Sequence, residues 1–218
     1  MTEQRTLTEK GRETRLRLLR SAEQLLATQG YANMRITDIT SNAGLSAGAF
    51  YRYFTDRHQI TLELMREMID EMAEFIRSPF DESDPKRSVL ESTHKYFEFY
   101  DEHRAVLGVL VEMSQTDAQV AAFWDETKRA FYARIARSLR RGVRLGVIRD
   151  DIDPQIAAEM LGSMTEFYAF QRFAMNGSGL TDVSTADATR TIAEIWISGM
   201  GLNEQDAQRS APDDTETD

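Results

Sequence analysis

Cysteine is absent from the 218 residues, and proline occurs only four times. The first absence excludes disulfides and thiolate metal sites. The second leaves long stretches free of helix breakers. The N-terminus has no apolar signal region, and no run of about eighteen apolar residues exists to span a membrane. A soluble cytoplasmic protein is therefore expected. The three histidines, His58, His94 and His103, do not take an HExxH spacing, and no Gly-rich phosphate loop or serine elbow occurs. Catalysis is not expected, and neither a cofactor nor a metal is called for. Strands are not expected either, because no segment shows a defensible alternating pattern. The chain reads as all-α, with about nine helices.

The net charge of -10 at first argues against a polyanionic partner. Its distribution argues otherwise. Residues 1–60 carry nine basic against six acidic side chains, leaving +3, while the remaining 158 carry seventeen against thirty, leaving -13. A basic head on an acidic body would orient on DNA with the head toward it.

Residues 36–54, ITDITSNAGLSAGAFYRYF, concentrate the information. Thr37 reads as the N-cap of a short helix, with Asp38 in its first turn and Ile36, Ile39 and Ala43 as its apolar face. Gly44 stands where that helix must end in a left-handed conformation. Ser46 reads as the cap of a second helix, in which Phe50 and Phe54 form a buried stripe. Ala47, Gly48, Ala49, Tyr51, Arg52 and Tyr53 are left to face outward. Two short helices joined by a glycine turn make a helix-turn-helix. The nearly bare start of the second helix would let backbone approach phosphates or base edges. Tyr51, Arg52 and Tyr53 offer hydroxyl and guanidinium donors.

From Arg15 to Ile60 the chain resembles the N-terminal DNA-binding domain of the tetracycline-repressor (TetR) family of transcription regulators. The matching residues are Leu18-Leu19, Ala22, Leu25-Leu26, Gly30-Tyr31, Thr37, Ile39, Ala43-Gly44-Leu45-Ser46, Gly48, Phe50-Tyr51 and Phe54. Departures are Thr40 and Ala49, where the family usually has Ala and often Thr, and Arg57-His58 in place of Lys-Glu. The resemblance implies a DNA-facing set of Thr37, Ser46, Ala47, Gly48, Ala49, Tyr51, Arg52, Tyr53 and Arg57, with Arg57 on a phosphate. Ala49 removes a polar base contact, so the operator sequence does not carry over from a relative.

The implied organisation is a three-helix head at residues 1–55, a helical effector-binding and dimerisation body at 56–202, and a disordered acidic tail at 203–218. Helix one reads from Thr8 to Gln29, with Arg12, Arg15, Arg17 and Arg20 on its polar side. Arg5 precedes it and could reach phosphate as an arm. Helix four, capped by Thr55-Asp56 and running to about Arg77, links head and body. The proline-bearing segment SPFDESDP breaks it. Beyond it, helices are expected at about 86–102, 105–115, from Asp117 to near Gly142 or Gly146, and from Asp153-Pro154 onward. The segment 176–185 reads as a loop before a last helix.

Aromatic and methionine side chains crowd this body, with His94, Tyr96, Tyr100, Glu166, Tyr168 and Gln171 as polar groups among them. Such stripes serve as core, and collectively they also suit a pocket with a few polar anchors. The resemblance implies an effector pocket here, for which the candidates are Tyr96, Phe99, Tyr100, Met113, Trp124, Phe131, Met164, Phe167 and Gln171. The implied ligand is mostly hydrophobic. The last two helices carry apolar residues on more than one side. In the resembling family this pair forms a four-helix interface in a two-fold dimer, which points to Leu161, Tyr168, Ile192, Ile195, Trp196 and Gly199. Lys128, Arg129, Arg134, Arg137, Arg140, Arg141, Arg144 and Arg149 make the seventh helix and its end basic. They suit either a solvated face paired with the body's acids or an anionic group of the effector. The expected activity is that of a ligand-released repressor on a palindromic operator. The alternative is an activator, or a small-molecule-binding helical protein, on the same scaffold.

Overall fold

The computed structural model describes residues 8–76, 81, 84–175, 177 and 179–202. Nine α-helices and one π-helical turn occur among the described residues, with no strand. The tail at 203–218, Arg5, Arg77 and most of the segment 78–85 lie outside them.

The chain divides into two compact units that do not follow chain order. One takes the described residues up to Glu74 together with His103–Trp124, and the other takes Phe75–Glu102 and everything described from Asp125 onward.

The first unit begins with α1 (Glu9–Asn33), capped by Thr8, whose hydroxyl accepts from the Gly11 amide at 3.2 Å. Leu18, Leu19, Ala22, Leu25 and Leu26 recur at helical spacing and are buried. Gly30 interrupts the helix at φ 72°, a left-handed conformation natural to glycine, and one further turn reaches Asn33. Next come α2 (Ile36–Asn42), α3 (Ala47–Phe50) and α4 (Arg57–Ile76). The sixth helix, α6 (Arg104–Ser114), packs on α1 and buries Val106, Leu107 and Leu110. Arg15 of α1 is held by Glu63 and Glu67 of α4, the latter at 3.0 Å. His58, in the first turn of α4, meets Asp117 at 2.7 Å. Asp117 caps α7 (Ala118–Arg144) by accepting from the amides of Gln119 and Val120. The Val120 amide and then His58 hold its carboxyl below the ordinary range.

The second unit contains α5 (Pro85–Glu102), most of α7, α8 (Pro154–Ala169), the π-helical turn Phe170–Ala174 and α9 (Thr185–Gly199). Asp153 caps α8 through two amide bonds, and Ser184 caps α9. α5 packs against α9 and the π-helical turn. A cluster of Ala136, Leu139, Ile148, Ala158, Ile197, Met200 and Leu202 forms its core.

α8 buries its small side chains. Ala158, Gly162, Thr165 and Ala169, spaced four, three and four apart, face inward, while Ile156, Met160 and Phe167 are 56, 69 and 60% exposed. A Cβ on Gly162 would stand 2.7 Å from Cε1 of Tyr132, so that ring lies directly on the α8 backbone.

Candidate DNA-binding face and effector cavity

Ser46 caps α3 as its position predicts, accepting from the Ala49 amide at 3.2 Å. Gly44 closes α2 at φ 62°, and the Leu45 amide returns to the Thr40 carbonyl at 2.9 Å. Ser21 of α1 donates to the Ile39 carbonyl at 2.8 Å, and Asn42 donates to both Ser21 and Gln24, fixing α2 on α1. Phe50 and Phe54 are buried with ring centroids 5.7 Å apart.

Three expectations for this face need correction. Thr37 is not the cap of α2: Arg35 holds that place without a side-chain cap bond, and Thr37 is an exposed residue inside the helix. The second helix is only four residues long, and Tyr51–Tyr53 continue as a turn rather than as helix. Arg57 does not reach outward. Its Nη1 donates to the carbonyls of Tyr31, Ala32 and Met34 at 3.1–3.2 Å, and its guanidinium stacks 4.7 Å from the Tyr31 ring. It satisfies the carbonyls that the end of α1 leaves open.

What remains outward is Thr37, Ser46, Ala47, Gly48, Tyr51 and Arg52, all exposed, with Ala49 and Tyr53 half-buried. Gly48 is informative. It has ordinary helical backbone, and a Cβ there would meet only the Ser46 hydroxyl at 3.9 Å. Among the described residues, nothing requires glycine at this position.

In the second unit, a cavity of about 320 Å³ lies among α5, α7, α8 and α9. Its floor is apolar: Tyr96, Phe131, Ile135, Leu139, Ile148, Trp196, Met200 and Leu202. Gly162 and Thr165 of α8 complete the lining. The Trp196 indole donates to the Thr165 hydroxyl at 3.0 Å, which sets the ring as a wall. Tyr96 and Phe131 stack with centroids 5.9 Å apart. Beside them, Tyr132 donates to Glu166 at 2.7 Å and lies 3.1 Å from the Ser163 hydroxyl. Burial pushes the Glu166 carboxyl up. Burial, then neighbouring Glu166 and Tyr132, raises the Tyr100 hydroxyl, which is buried with no hydrogen-bond partner among the described residues.

Of the nine pocket candidates, this cavity gathers only Tyr96 and Phe131. Phe99 and Tyr100 are buried but do not line it, and Tyr100 sits behind Tyr96 at 5.7 Å. Met113 and Trp124 belong to the first unit. Met164 and Gln171 are half-buried away from the lining, and Phe167 is on the outer surface. His94 is exposed beside Glu98 at 3.3 Å and anchors nothing in the cavity.

The interface candidates are also redistributed. Ile192 is core, Trp196 walls the cavity, Leu161 packs on the core cluster, and Tyr168 stacks on Phe97 at 5.9 Å. Gly199 is half-buried, a Cβ added there would meet nothing within 4 Å, and Ile195 is 44% exposed. The large apolar side chains left exposed on these two helices are Ile156, Met160 and Phe167 on α8 and Ile195 on α9.

This architecture defines a helix-turn-helix head followed by a helical body with its own cavity, and family models agree with it at both ends. Residues 18–64 match the model for bacterial regulatory proteins of the tetR family, and residues 89–200 match that for the C-terminal domain of the transcriptional regulator EthR. The chain belongs to the TetR family of transcriptional regulators. It is similar to the HTH-type transcriptional regulator EthR of Mycolicibacterium smegmatis, 24% identical over 189 residues that cover 84% of each chain. In fold it is similar to a TetR transcription regulator from Haloarcula marismortui, with a TM-score of 0.72 at 12% identity over 87% of this chain and 98% of that one. SmeT, the repressor of the Stenotrophomonas maltophilia multidrug efflux pump SmeDEF, gives 0.68 at 20% identity over 88% and 92%. No helix among the described residues is long and apolar enough to cross a membrane.

Proposed function

We propose that this regulator binds a palindromic operator as a two-fold dimer and leaves it when a mostly apolar effector fills the cavity of the body. The observation that carries the DNA half is Gly48: a bare, exposed helical position for which the described residues supply no steric reason. Close approach of a groove wall supplies one. Tyr51 and Arg52 flank it as phosphate or base donors, whereas Arg57 holds the head together.

The dimer rests on the exposed Ile156, Met160 and Phe167 of α8 and Ile195 of α9, large apolar side chains that a lone protomer leaves in water. Pairing by a two-fold axis would set two α3 segments roughly 34–36 Å apart, or a multiple, on successive turns of one DNA face. The effector acts only through its difference in affinity between the operator-fitting state and the released state. A repressor is the favoured sense, with the promoter geometry deciding it.

Capture of genomic fragments by the purified protein at moderate salt tests this reading. A few palindromic sites near promoters are expected. Enrichment no better than random fragments would overturn it.

A further inference from the structure

The cavity has two unlike edges. Along α5, Val89, Thr93 and Tyr96 turn toward the floor, and Ser88, Ser92 and Lys95, one helical step over, form the rim. α7 repeats the pattern: Phe131 and Ile135 line the floor, and Arg134 and Ser138 the rim. The floor is closed by apolar side chains at Leu139, Ile148 and Met200. The rim therefore presents two cations and a row of hydroxyls. Its one carboxylate, Glu91, is already answered by Arg87, whose Nε donates to it at 2.7 Å.

The geometry points to an anionic amphiphile as the effector: an apolar chain or ring system on the Tyr96–Phe131 floor, and a carboxylate or phosphate head held at Lys95 and Arg134. This rests on the reading of the cavity as the effector site. An aliphatic tail matches the floor, which has few polar groups besides the Thr93 and Thr165 hydroxyls, the latter already engaged by Trp196. A charged head would remain at the partly exposed rim, where it keeps some water and gains charge-assisted hydrogen bonds. The basic side of α7 thus divides: Arg134 faces the cavity, while Arg137, Arg140, Arg141 and Arg144 are exposed.

Calorimetric titration of the full-length protein with dodecanoate, dodecyl phosphate, dodecanol and dodecyltrimethylammonium, all below their micelle concentrations, tests this. Both anions are expected to bind about ten-fold or more tightly than the alcohol, and the cation more weakly still. The tighter anion identifies the head. Lys95→Gln and Arg134→Gln should each bring the anions toward the alcohol and leave the alcohol unchanged. Equal binding of alcohol and anions, or preference for the ammonium, would overturn the anionic head while leaving the cavity as an apolar site. Absence of binding by all four would instead sink the cavity as effector site.

Discussion

Arg57→Ala separates a structural arginine from a DNA contact. One nitrogen shared by three carbonyls is worth about one charged hydrogen bond, roughly 1.5–3 kcal/mol at full burial. Arg57 is half-buried, so solvent screening puts it at the lower end. The stack on Tyr31 adds about 0.5–1 kcal/mol. Loss of both should cost about 2 kcal/mol, or roughly 4–8 °C in Tm for a chain of this size. Urea unfolding and thermal scans read this directly. Arg57→Lys keeps the charge but not the planar fork, and should recover only part of the loss. The salt dependence of DNA binding gives the second readout. A structural Arg57 leaves the slope of log K against log salt unchanged once the head is folded, whereas a phosphate contact lowers it by about 0.9. Unaltered stability together with a reduced slope would refute the structural role.

Three further outcomes concern the body. Gly162→Ala should destabilise by about 1–3 kcal/mol, because its Cβ would drive into the Tyr132 ring at 2.7 Å; a gain in unfolding free energy would contradict that packing. Glu166→Gln keeps an acceptor for Tyr132 and removes a buried charge. Burial raises the Glu166 carboxyl in the folded state above its ordinary 4.5, so its contribution is most favourable at low pH and is lost as pH rises through the folded value. The variant should match the wild type near pH 4 and exceed it in Tm at pH 8, and the reverse ordering at pH 8 would dismiss the desolvation argument. Met160→Glu should convert a dimer to a monomer in sedimentation velocity without loss of helicity; a persisting dimer would remove the α8 stripe from the interface.

The head was legible because its signals are local. Ser46 caps the helix it precedes, Gly44 takes the left-handed turn, and Phe50 and Phe54 share one face, all within a few residues of sequence. Arg57 was not, since its acceptors lie 23–26 residues earlier and no spacing announces a carbonyl. Thr37 yields the cap position to Arg35 although its side chain is the better cap, because the helix begins two residues earlier than propensity suggests. The body misleads for a different reason. Ranking by hydrophobic size selects Phe167, Met164 and Ile192 without saying which side of a helix meets its neighbours. In α8 the inward stripe is the small one, Ala158, Gly162, Thr165 and Ala169. Close approach of Tyr132 depends on that smallness, and the large side chains of α8 lie on the outer side. A stripe of small residues at heptad spacing was the available signal.

The most direct test of the regulator account is operator binding by Gly48→Ala, measured beside its unfolding free energy. The folded chain has room for the methyl group, so stability should hold or rise by up to about 1 kcal/mol. DNA affinity should fall by about ten-fold or more, the scale of one lost groove contact. Undiminished affinity for captured operator fragments in a stable Gly48→Ala protein would mean that this face does not meet DNA.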